Sequence, residues 1–334
     1  MAKQLAITLV LFSLMSFILL SIIEDLYFNK KLNINSDTII SIEMGSNIDI
    51  LGRQLVELEI VSNLRLFKFF AVKNGIHNNI RAGDFLAEEE DTLYTIIEKI
   101  KSSDEIIYQY RIIEGEKFIN VINDILSTDL FNLNNFSLDK IDYHIDANFD
   151  NPEGLFYPDT YNYTANIDPI SILQMSHDKL YQVLINAWEA RDSLISLSTP
   201  YEALIIASII EREAVVDDER SIVSGVIHRR LNKGMPLQMD PTVLYGLSKD
   251  YDESIMLSDL RYDTLYNTYT RAGLPPSPIC LPSRLSIEAA LNPDKSEVLY
   301  FVATGLNDGR HQFSESLEEH NEAVSLYRER ASQQ

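Results

Sequence analysis

The first apolar run in this chain is unbroken: residues 5–23 (LAITLVLFSLMSFILLSII) contain no charge and no proline. That is about the length a helix needs to span a hydrocarbon core. After a polar, turn-forming stretch at 24–36 the pattern becomes periodic. Residues 37–43 read as a strand, and Ile48–Leu58 and Leu64–Asn74 repeat at helical spacing. Arg81–Ala87 turns into a strand, and Thr92–Lys101 returns to a helix. This strand–helix–helix–strand–helix order is a compact α+β module.

The second half is richer in helix. Residues 105–113 alternate as a strand does and lead into Glu114-Gly115. From 116 to 150 the pattern is Asn/Asp-rich and broken, as in short helices joined by loops, and 152–161 (PEGLFYPDTY) is an aromatic, turn-forming loop. Pro169–Leu194, Pro200–Val215 and Asp218–Lys233 read as helices, the last closed by Gly234 at its C′ position. Residues 267–283 are Pro-rich and irregular, 298–304 (VLYFVAT) reads as a strand, and Ser316–Arg330 as a final helix. The expected fold class is α+β, divided into an anchor at 1–23, a linker at 24–36, a small module at 37–105 and a mostly helical domain at 106–334.

With 334 residues, 46% hydrophobic and 23% charged, the chain has the composition of a globular protein of more than one domain. Its net charge of −22 opposes a nucleic-acid partner. Arg229, Arg230 and Lys233 cluster on one predicted helix and read as a solvated face near its end. Cys280 is the single cysteine, so neither an intrachain disulfide nor a CxxC metal site is available. Lys3 precedes the apolar run, which is longer than a signal-peptide core and lacks a small-x-small cleavage site. The expectation is a single-pass anchor in the cell (inner) membrane, N-terminus cytoplasmic and residues 24–334 periplasmic. A cleaved signal is the alternative.

The most chemically pointed stretch is the helix from Pro200. Thr199 suits its N-cap, proline its first position, and Glu202 completes a capping box. Near its end stand Glu211 and Glu213. At helical spacing Glu213 falls within about 20° of Ile206 and about 40° of Ile209, on the most apolar stripe, whereas Glu211 falls near Leu204, Ala207 and Ser208. Two residues apart, the carboxyls point in nearly opposite directions and cannot share one proton. A carboxyl held among apolar neighbours keeps its proton to higher pH, as a general acid for glycoside cleavage must. Glu213 is therefore the favoured acid and Glu211 the second candidate; both as ordinary solvated glutamates is the plain alternative.

Several phrases along the chain, IRAGDF (80–85), IIEGEKF (112–118), EGLFYPDTYNYTA (153–165), ASIIEREA (207–214), LQMDPTVLYG (237–246), YNTYTRAGLPPSPI (266–279), AALNP (289–293), LYFVATG (299–305) and HQFSESLEEHNEAV (311–324), resemble the membrane-anchored endolytic murein transglycosylases. The resemblance implies a LysM-like module at about 37–105 and a glycan-cleaving domain whose essential acid is Glu213. Ser277 and Ser283 stand where that pattern commonly has glycine or a Pro-Gly turn, which leaves the shape of this loop open.

The implied reaction cleaves the β-1,4 bond between N-acetylmuramic acid and N-acetylglucosamine in nascent strands, leaving a 1,6-anhydro end and terminating glycan elongation. Gln238, Asp240, Thr242, Tyr245, Asn267 and Tyr269 are the candidate sugar contacts, with Tyr157 a further ring face; each also has a plain loop-stabilising reading. A water-using muramidase would need a partner carboxylate, with Asp240 or Asp159 available. A non-catalytic anchored wall-binding protein is the alternative from another class. His311 and His320 fit no standard metal spacing, and His311 reads as packing locally within the turn at Asp308–Arg310. No cofactor or metal is expected. The expected partners are peptidoglycan strands, the membrane and peptidoglycan synthases.

Overall fold

The computed structural model describes residues 2–32, 34, 36–134, 136–144 and 151–332; the end of the expected 116–150 stretch, residues 145–150, lies outside them. The chain divides into two compact units, one of residues 1–108 with 162–167, the other of 109–161 with 168–334.

The first unit begins with helix α1 (Ala2–Phe28), whose apolar side chains are exposed on every face. It is long and apolar enough to cross a membrane. Helix α1 continues through Phe28, into the stretch read as a linker at 24–36, and Phe28 is buried beside Phe70 with ring centroids 6.0 Å apart. Glu24 accepts hydrogen bonds from Lys73 and Asn74, Leu32 N–H donates to the Asp91 carbonyl, and Ile34 is buried. The segment is thus part of the unit's packing.

Strand β1 (Thr38–Ile42) pairs antiparallel with β2 (Gly83–Ala87), Ile40 opposite Phe85. Between them lie α2 (Ile48–Glu57) and α3 (Leu64–Lys73), each N-capped by an asparagine, Asn47 and Asn63, whose side chain accepts two backbone N–H groups. Helix α4 (Leu93–Ser102) starts from a Thr92–Thr95 capping box. Ile40, Leu51, Phe67, Phe70, Phe85 and Ile100 close the core.

Strands β3 (Tyr108–Arg111) and β4 (Thr160–Tyr163) form a short sheet, and in the second unit α5 (Phe118–Ser127) lies within the stretch read as broken. The helical body is α6 (Ile170–Glu189), α7 (Pro200–Glu213), α8 (Arg220–Asn232), α9 (Asp240–Gly246) and α10 (Arg284–Leu291). Helix α9 occupies what the sequence presents as a polar loop. Its seven residues are too few for a periodic signal. Strands β5 (Tyr300–Ala303) and β6 (His311–Ser314) pair antiparallel, and α11 (Leu317–Ala331) ends the described chain.

Helix α8 stops as expected. Gly234 has φ +67°, and the N–H groups of Gly234 and Met235 donate to the carbonyls of Leu231 and Arg230. The expected solvated cationic face does not form, however. Arg229 donates to the carbonyls of Val298 and Asp294, Arg230 to those of Leu299 and Leu237, and only Lys233 is exposed. Four guanidinium nitrogens thus donate to carbonyls of connecting segments instead of facing solvent.

Candidate active site

Helix α7 is the axis of the second unit. The capping box forms, with Thr199 Oγ1 accepting the Glu202 N–H and the Glu202 carboxylate accepting the Thr199 N–H. Every residue from Ala203 to Ile210 is buried, with α6, α8, α9 and α10 packed around the helix. Ser208 Oγ donates to the Ile205 carbonyl and accepts the Ile279 N–H, pinning the Pro-rich segment along α7. Burial all round leaves the C-terminal turn as the place where polar side chains can emerge.

There the two glutamates separate. Glu211 accepts both the N–H (2.8 Å) and the hydroxyl (2.5 Å) of Ser283 and pairs with Arg220 at 3.3 Å. Its carboxylate is bound into the start of α10, where Ser283 is the N-cap, and does not line the groove described next. The structure therefore occupies the second candidate acid with a structural ion pair. It also answers the departure at Ser277 and Ser283, since neither takes a positive φ and neither needs glycine.

Glu213, the last residue of α7, opens into a groove of about 470 Å³. One wall is Leu237, Gln238, Met239, Asp240 and Tyr269; the other is Phe301, Val302, Ala303, His311, His320, Val324 and Tyr327. Its carboxyl makes no hydrogen bond among the described residues, keeps a partly accessible face, and is otherwise closely surrounded. Burial, then the nearby charge of Asp240, push its pKa up to about 8; Arg230 opposes the rise. The side chain is thus a neutral acid at pH 7.

The lip of the groove is built for position. Gln238 sits at φ +54°, its N–H donating to the Thr268 carbonyl, and the Met239 N–H donates to Thr268 Oγ1. Strain of this kind in a non-glycine residue persists only where the surroundings over-determine it. Arg230 donates to the Leu237 carbonyl and, at 3.3 Å, to Gln238 Oε1. Tyr269 donates to Asp240 at 2.5 Å, placing both beside Glu213.

Of the residues picked from the sequence, Glu213, Gln238, Asp240 and Tyr269 come together. The other three do not. Thr242 is wholly buried, its hydroxyl donating to the Met239 carbonyl. Asn267 is wholly buried too: its amide donates to the carbonyls of Leu260 and Tyr262 while its oxygen accepts the Tyr269 N–H. Tyr245 points into a separate cluster with Asn151 and Glu153. With their polar atoms already partnered, these three hold the loop rather than face the groove. Asp159 pairs with Lys179, and neither Asp159 nor Tyr157 lines the groove.

Three features were passed over in the sequence. Arg230 ties the lip to β5, and the wall of β5, β6 and α11 supplies half the groove. Glu153 is a second buried carboxyl, pushed up to about 8 by burial and accepting the Phe118 N–H at 2.9 Å. His311 leaves its own turn to bond Glu219, 92 positions away. The phrases LYFVATG and HQFSESLEEHNEAV carried the signal for that wall. Among the described residues no three His, Cys, Asp or Glu side chains converge as metal ligands.

The fold is α+β, with a carboxyl at the end of a buried helix opening into a groove. The chain belongs to the YceG-like family, whose model matches residues 40–326. It is 28% identical over 340 residues to the endolytic murein transglycosylase of Bacillus subtilis (strain 168), covering 92% of this chain and 88% of that one. It is 30% identical over 181 residues to the endolytic murein transglycosylase of Streptococcus pneumoniae (strain ATCC BAA-255 / R6), a match of 52% of this chain and 32% of that longer protein. The crystal structure of a yceG-like protein from Listeria monocytogenes matches with a TM-score of 0.53 and 27% identity, covering 88% of this chain and 99% of that one.

Proposed function

We propose that the protein is an endolytic lytic transglycosylase of peptidoglycan and that Glu213 is its acid–base group. The observation that carries the assignment is the carboxyl of Glu213, held neutral at pH 7 inside an open groove. A glycan of neutral sugars needs a proton donor at its bridging oxygen and polar side chains along its length; Gln238, Asp240 and Tyr269 supply the second.

Glu213 protonates the oxygen between N-acetylmuramic acid and N-acetylglucosamine, and the C1–O bond breaks toward an oxocarbenium-like centre. The carboxylate so formed takes the proton of the muramic C6 hydroxyl, whose oxygen bonds to C1 and closes the 1,6-anhydro ring. Attack from within the same sugar gives a large proximity advantage and needs no second carboxylate to activate water. The Asp240 charge favours the proton on Glu213 before reaction, and the Tyr269 hydroxyl holds Asp240 in place.

The chain's first helix anchors it in the cell membrane, with the N-terminus cytoplasmic and both units outside, near nascent strands and the synthases that make them. Because Phe28 and Ile34 are buried in the first unit and Glu24 bonds Lys73, that unit stays at the membrane surface. Its β–α–α–β order and antiparallel pairing support the LysM-like, glycan-binding reading. Termination of strand elongation is the expected cellular result.

Asp240 sits in the same groove as Glu213, so a water-using muramidase is the second reading. Mass spectrometry of products from uncrosslinked glycan separates the two, because an anhydro end is one water lighter than a reducing end. Anhydro ends from the parent protein and none from Glu213→Gln are the expected result. Reducing ends alone would reject the transglycosylase.

A further inference from the structure

The groove wall opposite in sequence to α7 carries an imidazole held as if for use. His311, at the start of β6, lines the groove together with Glu213. Its backbone N–H donates to Oε1 of Glu219 at 3.1 Å, and its Nδ1 is 2.8 Å from Oε2 of the same carboxylate. The side chain of Glu219 is 4% exposed and that of His311 13%. A carboxylate accepts on both oxygens, so Nδ1 carries the hydrogen, and in the neutral imidazole Nε2 presents a lone pair. Among the described residues that Nε2 has no hydrogen-bond partner, and it is left to the groove.

The surroundings brace the pair. Gly309, at φ +68°, brings the hairpin turn against Val215, where a Cβ would stand 3.1 Å from a methyl carbon. Arg310 bonds Asp218 at 2.9 Å and lies 3.7 Å from Glu219. Phe301 meets the imidazole edge-on at 5.2 Å. The segment just after Glu213 is therefore stitched to the hairpin by five side chains, and one free ring nitrogen is left on the groove. On the same wall, Nδ1 of His320 is a buried imidazole nitrogen without a hydrogen-bond partner among the described residues.

We infer that His311 is a substrate-contacting residue whose Nε2 accepts a hydrogen bond from a sugar hydroxyl in the groove, and that Glu219 is the positioning residue that fixes its tautomer and orientation. The inference rests on the groove being the site where Glu213 works. A hydroxyl held by His311 fixes the rotation of its sugar about the strand axis, which sets the bridging oxygen against Glu213. Misplacement of the reacting atoms by about 1 Å costs on the order of a hundredfold in rate.

The test uses the full-length chain in detergent micelles, with cleavage of uncrosslinked glycan strands followed by liquid chromatography and mass spectrometry. His311→Ala is expected to lower kcat/KM by about 10- to 100-fold. His311→Gln, whose amide oxygen can replace the acceptor, should recover part of the loss and carries the test if the alanine variant does not fold. Glu219→Gln keeps one acceptor where two are needed and should lower kcat/KM by about 10-fold in the parent, yet change nothing further when His311 is already alanine. Additive losses, or kcat/KM within twofold of the parent in the His311 variants while Glu213→Gln is inactive, would overturn the inference and leave the Glu213 site standing. Cleavage retained by Glu213→Gln would overturn both.

Discussion

The hydroxyl of Tyr269 donates to Oδ1 of Asp240 at 2.5 Å, and the Asp240 charge adds to burial in keeping the proton on Glu213. The two residues are 29 positions apart and meet only because the Thr268 backbone and hydroxyl clamp the lip at Gln238 and Met239.

Activity should therefore fall as pH rises through about 8, where Glu213 loses the proton it must donate. Asp240→Asn removes a like charge and should move that basic limb to lower pH. A pH profile of kcat/KM for parent and variant checks this; an unmoved limb would mean that burial alone holds the proton.

Stability should follow the same protons. Glu153 and Glu213 have pKa values raised from 4.5 to about 8, so between these values the folded chain binds more protons than the unfolded one. Their contribution to stability accordingly falls as pH rises from about 4.5 to about 8. Glu213→Gln should stabilise the protein at pH 7 by about 1–3 kcal/mol and flatten this dependence. Urea unfolding at pH 5, 7 and 8.5 measures both effects.

Replacing Glu211 should do the reverse. Glu211→Ala removes the acceptor for Ser283 and one of the two carboxylates paired with Arg220, leaving Asp217 as the other, at a cost of about 1–3 kcal/mol. The fraction that folds should cleave glycan at a rate within a few-fold of the parent. A loss of cleavage with an unchanged melting temperature would restore Glu211 as an acid.

Thr242→Val and Asn267→Ala test the division between groove and scaffold. Each removes a wholly buried, fully bonded polar group and should destabilise by about 1–3 kcal/mol. KM for glycan strands should stay within about twofold, since neither side chain reaches the groove. A KM raised tenfold without loss of stability would return either residue to the list of sugar contacts.

The amino-acid order by itself determined the elements of local origin: the apolar run that becomes α1, the order of helices and strands in the first unit, and α7 with its Thr199–Glu202 box. It also determined that Glu211 and Glu213 diverge, because the turn of a helix is the same wherever the helix lies. Tertiary structure alone decided which carboxyl meets the groove and which meets Arg220, since desolvation and pairing depend on neighbours such as Ser283, 72 positions away. It decided likewise that Phe28 and Ile34 are buried in the first unit, and that Thr242, Tyr245 and Asn267 turn inward while Asp240 and Tyr269 face the groove. The reason is common to all these cases: a polar side chain is committed by the partners that reach it, and most of those partners come from distant parts of the chain.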